Sequence, residues 1–261
     1  MAYTKEETIA KIEEITKENA NIWYREIPNA WSGTVKGDNE MPYTEVWAKY
    51  IIKKGKYEQL KNIKYIDREN SLPERDLTVN PKSNQEEKNI ARNIKCIKEL
   101  GENIYIEYPL AKVEKDSVGE IDFICYDKEK NVLNLIELKR PNNKENLLRA
   151  ILEICTYSKQ VNLELLKEGN LDLKENYTAK PVIMLFSHTD DGEQATIANQ
   201  AHWLKENTRK YTYVKKLLKE LNIDIYVFKT PEGYKYEADG AYLKENFKNL
   251  ELDFNVIAED L

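Results

Sequence analysis

Gly119-Glu120-Ile121-Asp122-Phe123-Ile124 and, after a short polar interval, Leu135-Ile136-Glu137-Leu138-Lys139-Arg140-Pro141 decide how this chain is read. Along an extended strand, successive side chains point to opposite faces. Glu137 and Lys139 therefore project together, while Ile136 and Leu138 go to the other side. Pairing of 120–126 with 132–138 about a turn at 127–131 sets Asp122 opposite the Glu137 end of its partner. Two carboxylates and an ammonium then converge at the mouth of a sheet. Exposed Glu–Lys pairs are common and worth little. These charges, however, interrupt runs as apolar as IDFIC and LNLIELK, where an unpartnered charge is costly to bury.

Outward from this hairpin the pattern is mixed α/β. Ile104–Val113 reads as a third strand on its N-terminal side. Before it, Asn84 can cap a helix with Ile90, Ala91, Ile94 and Ile97 on one stripe, stopped by Gly101. After the hairpin, Leu147, Leu148, Ile151, Ile154, Tyr157 and Val161 predict one long amphipathic helix over 143–167. The continuous apolar run 181–186 (PVIMLF) predicts a strand covered on both faces. A helical stretch over 193–221 follows, then a hairpin of Ile223–Lys229 with Tyr234–Glu237 about Pro231-Glu232-Gly233. The expected order is α-β-β-β-α-β, with a mixed central sheet flanked by helices.

The first part of the chain reads as helical. Ile9, Ile12, Ile15 and Ile22 share a stripe, Thr4 with Glu7 forms a capping box, and the helix should stop before Pro28. A loop with Trp31, Gly33, Gly37 and Pro42 leads to a second helix through Val46, Trp47, Tyr50 and Ile51, closing near Gly55. Pro73, Asn80 and Pro81 mark a connection over 71–83. The expected division is a helical region at 1–83 and an α/β domain at 84–261.

Composition sets limits on function. Of 261 residues 41% are hydrophobic, with 17 Tyr, enough for an ordinary core. No run approaches the roughly 18 apolar residues of a membrane span, and the amphipathic, acidic start is unlike a signal peptide. Three widely separated cysteines (Cys96, Cys125, Cys155) suggest buried thiols of a cytoplasmic protein. Two histidines make a His-rich zinc site a poor fit, and no GxxxxGK[ST] or GxSxG motif occurs. A net charge of -6 argues at first against nucleic acid. Against that, Lys53, Lys54, Lys56, Lys61 and Lys64 interleave with Tyr50, Tyr57 and Tyr65, and Arg209, Lys210, Lys215, Lys216 and Lys219 with Tyr211 and Tyr213. Such mixtures suit phosphate contact and base packing, although charge runs are usually solvated surface.

Few, anionic oxygen ligands suit Mg²⁺, which keeps several waters and accepts phosphate oxygens. A phosphodiester repels hydroxide, so a divalent ion must neutralise charge and lower the pKa of an attacking water. A lysine beside that water can orient it and stabilise the developing charge. Asp122, then Glu137-Leu138-Lys139 fifteen residues later, in the order helix, three strands, helix, strand, resembles the PD-(D/E)XK, or restriction-endonuclease-like, nuclease superfamily over residues 84–190.

The resemblance implies Asp122 and Glu137 as metal ligands and Lys139 as the catalytic lysine. It adds an acidic residue on the preceding helix, for which Glu86 and Glu87 compete. Glu87 is preferred because its spacing from Ile90, Ala91 and Ile94 puts it toward the sheet. Many members also carry a Gln or Tyr on the next helix, here Gln160 three residues after Tyr157. Ile121 stands where the superfamily's name has proline, without touching a liganding group. His188, at the end of the apolar strand, could reach substrate but suits a loop, and His202 suits a helix surface. The implied protein is a Mg²⁺-dependent DNA endonuclease, with Mn²⁺ able to substitute and DNA preferred to RNA. A homodimer would let two centres cut two strands. An exonuclease or structure-specific resolvase with the same centre, or a vestigial nucleic-acid-binding module, are the competing expectations. Counting the acids of the centre as offset by metal removes part of the charge objection. Binding without metal should then be weak and salt-dependent.

Overall fold

A computed structural model describes residues 4–28, 41–64, 86–110, 119–168, 173–187, 196–206, 211–236 and 238–261. The protein is α/β, built on one seven-stranded mixed sheet in the order β1-β2-β3-β4-β5-β6-β7. Strands β1 (Cys96–Ile97), β2 (Gly101–Pro109), β3 (Glu120–Asp127) and β4 (Val132–Leu138) run antiparallel in succession. Strands β5 (Thr178–Phe186) and β6 (Asp224–Phe228) continue parallel to β4, and β7 (Leu252–Val256) closes the sheet antiparallel to β6.

The β3–β4 hairpin is set by local chemistry. Asp127 Oδ1 accepts the N–H groups of Glu129 and Lys130 at 3.1 and 3.0 Å, an Asx-type turn, and Asn131 takes the left-handed conformation (φ 57°). Asp127 then faces Val132 and Phe123 faces Ile136, the register the alternation predicts. Leu133 and Leu135 bury on one face with β5's Ile183 and Leu185. Ile136 and Leu138 bury on the other with Val182, Met184 and Phe186. The run PVIMLF is thus apolar on both sides because both sides are covered.

The first face carries α2 (Tyr43–Lys53), α5 (Leu147–Gln160) and α8 (Thr212–Leu221) with α1 (Lys5–Glu13) and α3 (Tyr57–Lys61); α4 (Glu86–Ala91) and α9 (Gly240–Asn246) pack on the second. The N-terminal helices share their apolar cluster with the sheet: Ile12, Trp23 and Trp47 belong with Leu135, Ile151 and Leu217. α2 is fastened to α8 by Glu45, which is fully buried and accepts the N–H groups of Tyr213 and Val214 at 2.7 and 3.0 Å. It satisfies donors that a helix start leaves open.

Several expectations are corrected. The Thr4–Glu7 capping box is present, but α1 stops at Glu13 rather than before Pro28, and Ile22 is exposed immediately before a 3-10 turn at Trp23–Glu26. The chain turns there because Asn19 bonds back to the Thr16 N–H and the Glu14 carbonyl. α4 ends at Ala91, so Ile94 and Ile97 bury from a turn and from β1 instead. The helix expected over 143–167 is broken after Gln160 by an extended Val161 (ψ 129°), and α6 (Leu163–Glu168) follows. β6 pairs with β7 rather than with 234–237, because Tyr234 is used to anchor its segment to α4. Cys125 and Cys155 are buried, but Cys96 is exposed. The 29–40 loop, the 65–85 connection that would hold the 83/84 boundary and the Asn84 cap, and the 188–195 and 207–210 segments lie outside the described residues. α7 (Ile197–Glu206) and α8 fall within the stretch predicted as helical. Among the described residues no helix is long and apolar enough to cross a membrane.

Candidate active site

The main chain brings the carboxylates and the lysine together where β3 and β4 end. Lys139 extends the ladder by donating its N–H to the Met184 carbonyl at 2.9 Å. The Phe123–Ile136 pairing puts Asp122 level with Glu137. The Asp122 side chain closes the ladder end, with Oδ2 accepting the Leu138 N–H at 2.7 Å. Lys139 is only 6% exposed. Its ammonium lies 2.8 Å from Glu137 Oε1, 2.9 Å from Glu153 Oε2 and 3.2 Å from Glu145 Oε2. A buried lysine with three carboxylates meets its desolvation cost through charge-assisted hydrogen bonds.

Of the two acids on α4, Glu87 reaches the centre. Its Oε1 accepts the Arg140 N–H at 3.0 Å and the Asn143 Nδ2 at 3.1 Å. Glu86 instead accepts a hydrogen bond from the Tyr234 hydroxyl. Gln160 is not among the groups that converge: it is 3% exposed and its Oε1 is buried without a hydrogen-bond partner. At the last residue of α5, seven positions after Glu153, it makes no hydrogen bond or ion pair with the clustered groups. His188 falls outside the described residues, and His202 is a surface residue paired with Glu206 at 3.1 Å.

Glu145 and Glu153 were not singled out by sequence reasoning. Arg149, Glu153 and Tyr157 recur at four-residue spacing, which puts them on one face of α5, and Glu145 pairs with Arg149 at 3.0 Å. A glutamate between Leu152 and Ile154 in an amphipathic helix was the available signal. Tyr157 donates to Glu153 Oε1 at 3.2 Å and shares a 2.9 Å hydroxyl contact with Tyr24 of the N-terminal segment. That link depends on three-dimensional packing alone. Gly119, at the start of β3, has φ +134°, and a Cβ there would lie 2.7 Å from the Tyr157 ring. Only glycine lets the ring settle over this strand.

The charges sort themselves by burial. Asp122 is pushed up to about 8 by burial and by the charge of Glu87, against the pull of Lys139 and the Leu138 N–H. Burial also carries the Glu137 carboxyl well above its usual range; Lys139 opposes this and Glu153 adds to it. Burial alone would lower Lys139, but Glu137, Glu153 and Glu145 outweigh it and hold the amine well above its ordinary value. Lys139 is therefore an ammonium at neutral pH, able to stabilise negative charge and unfit to serve as a base. Burial and the Glu153 charge raise Tyr157, which stays a hydrogen-bond donor.

Five carboxylates (Glu87, Asp122, Glu137, Glu145 and Glu153) thus act on one buried ammonium. Among the described residues, Asp122 Oδ1, Glu137 Oε2 and Glu87 Oε2 take no hydrogen bond. Hard oxygen donors with surplus negative charge fit a divalent cation such as Mg²⁺ or Mn²⁺. No set of three or more His, Cys, Asp or Glu among the described residues is arranged to hold a metal. A Mg²⁺ held by one or two carboxylates and its own waters needs no such set, so Asp122 and Glu137, with Glu87 beside them, are the residues that would hold it.

Among the described residues of the two Lys/Tyr stretches, several lysines are engaged within the chain. Lys54 bonds Glu13 at 2.5 Å, Lys56 bonds the Glu13 and Ile15 carbonyls, Lys61 bonds Glu220 at 2.9 Å, and Lys219 bonds the Leu261 carbonyl. They fasten α1, α2, α3 and α8 together. Lys53 lies 6.0 Å over the Tyr213 ring. Comparison of the chain with protein-family models, with curated proteins and with solved structures gives no match.

Proposed function

We propose that this protein is a metal-dependent nuclease of the PD-(D/E)XK, restriction-endonuclease-like kind, hydrolysing phosphodiester bonds in DNA. The observation that carries the reading is the buried Lys139 ammonium, 2.8 Å from Glu137 and beside Asp122, at the ends of paired strands β3 and β4. The succession α4, β2, β3, β4, α5, β5, with β2–β4 antiparallel and β5 parallel to β4, supports it.

Mg²⁺ bound at Asp122 and Glu137 would neutralise phosphate charge and favour an attacking hydroxide. The chain's own contribution is positional and electrostatic. Lys139 keeps a positive charge where a pentacovalent phosphorane would carry extra negative charge. Glu153 and Glu145 hold that ammonium in place, so its orientation is settled before substrate arrives. Glu87 fixes the main chain at Arg140 and so the direction of the Lys139 side chain.

The test is incubation with closed circular plasmid, linear duplex, single strands and RNA, each with Mg²⁺, Mn²⁺ or EDTA. Cleavage with either metal, none in EDTA, and a loss of at least about 100-fold in Lys139→Ala are expected. Unchanged cleavage in Lys139→Ala, or no cleavage of any substrate, would overturn the proposal. Cutting of the closed circle distinguishes an endonuclease from an enzyme that needs ends.

A further inference from the structure

We infer that Tyr236 and Arg140 form a stacking platform for an unpaired base beside the carboxylate–lysine centre, so that the nucleic acid engaged there is single-stranded. The inference rests on the nuclease reading and narrows its substrate. Tyr236 is 51% exposed, one of two large hydrophobic side chains left open among the described residues. The Arg140 guanidinium lies over its ring, 4.8 Å from the centroid. The N–H of the same Arg140 is bonded to Glu87 at 3.0 Å, and its chain neighbour is Lys139. The ring therefore lies at the tip of the side chain that follows Lys139, on a residue whose main chain Glu87 holds.

This aromatic is held in place. Two residues earlier, Tyr234 bonds Glu86 on α4 and packs edge-on against Phe247, with centroids 6.1 Å apart. The preceding turn is tied by the Tyr242 hydroxyl, which donates to the Pro231 and Glu232 carbonyls at 3.2 and 2.9 Å. Gly233 takes the left-handed conformation the turn needs (φ 73°). An open ring on an anchored segment loses little freedom when a flat partner stacks on it. The guanidinium supplies a charge for the adjoining phosphate, which an apolar protein ligand would leave unused. Every base has a π face, so such a platform is tolerant of sequence, and it requires a base free of its duplex partner.

Fluorescence anisotropy at low salt in EDTA, where no cleavage occurs, tests this with a labelled oligothymidylate and a labelled duplex. Tyr236→Ala and Tyr236→Leu should weaken single-strand binding roughly 5- to 150-fold, and Tyr236→Trp should retain it. Duplex binding should stay within about twofold, and the salt slope should be unchanged, because stacking releases no counterions. Melting temperatures close to the parent's will show that these exposed substitutions leave the fold intact. Equal single-strand binding by Tyr236→Ala, or equal losses on duplex, overturns the platform. If Lys139→Ala abolishes cleavage while Tyr236→Ala binds like the parent, the platform alone fails. If Tyr236 controls binding while no metal supports cleavage, the nuclease reading alone fails.

Discussion

Glu153 and Glu137 grip the same ammonium from different elements: the Lys139 Nζ lies 2.9 Å from the helix residue and 2.8 Å from the strand residue. A lysine bonded to Glu137 alone could swing about the strand. The second carboxylate, on α5, removes that freedom. Glu153→Ala should cut the cleavage rate roughly 10- to 100-fold, as loss of an orienting partner does. Glu153→Gln, whose one amide oxygen can still accept from Lys139 while its NH2 faces the Tyr157 hydroxyl, should recover part of it. Single-turnover rates compared with melting curves separate positioning from simple loss of stability, and a rate unchanged in Glu153→Ala would remove it from the centre.

Cation binding should depend on pH through Asp122. Its carboxyl sits at about 8 rather than the usual 3.8, raised by burial and by Glu87. A ligand must lose its proton before it can bind metal. Affinity for Mn²⁺ should therefore rise with pH across the neutral range, by up to about tenfold per pH unit for each proton released. Calorimetric titration across that range will show it. Asp122→Asn should abolish the binding, and a flat profile would remove Asp122 from the ligand set.

Gly119→Ala should be damaging out of proportion to one methyl group. The backbone there (φ +134°) strains any L side chain, and the new Cβ would meet the Tyr157 ring at 2.7 Å. A loss of roughly 2–4 kcal/mol is expected from these two costs together. In denaturant unfolding, adding Tyr157→Ala should relieve the clash and leave the backbone strain. The double substitution should thus cost less than the sum of the two single ones.

Glu45 should make stability fall between about pH 4.5 and 7. Burial raises its carboxyl from 4.5 to about 7, against the N–H groups of Tyr213, Val214 and Thr212. The folded state then holds the proton more tightly than the unfolded chain. Its contribution is fully present below the unfolded value and is lost as pH rises through the folded one. Glu45→Gln removes this dependence, so its stability relative to the parent should improve by roughly 3 kcal/mol from pH 4.5 to 8. Urea midpoints at several pH values will measure the difference, and parallel curves would show that Glu45 does not titrate in that interval.

The ladder of β3 and β4, and with it the meeting of Asp122, Glu137 and Lys139, is legible in the linear chain because a two-residue side-chain period and an Asx turn are local properties. The same locality made Glu87 preferable to Glu86, since both lie within one turn of the same helix. Local patterns failed where a longer-range partner competed. Helix spacing continued past Ala91 and Gln160, yet packing of Ile94 and Ile97 on the second face and the extended Val161 ended both helices. β6 took β7, far along the chain, in place of the nearby segment that Tyr234 pins to α4.

What the sequence determined by itself is the α/β class, the central hairpin and the pairing of carboxylates with lysine on one face. Only the tertiary structure decided which further groups surround that lysine. Glu145 comes from the segment just before α5 and Glu153 from α5 itself, Tyr24 reaches Tyr157 from the N-terminal segment, and Gln160 makes no hydrogen bond or ion pair with these groups. The reason is physical: strand periodicity orients neighbours along the backbone, whereas burial of a charge selects its partners through space.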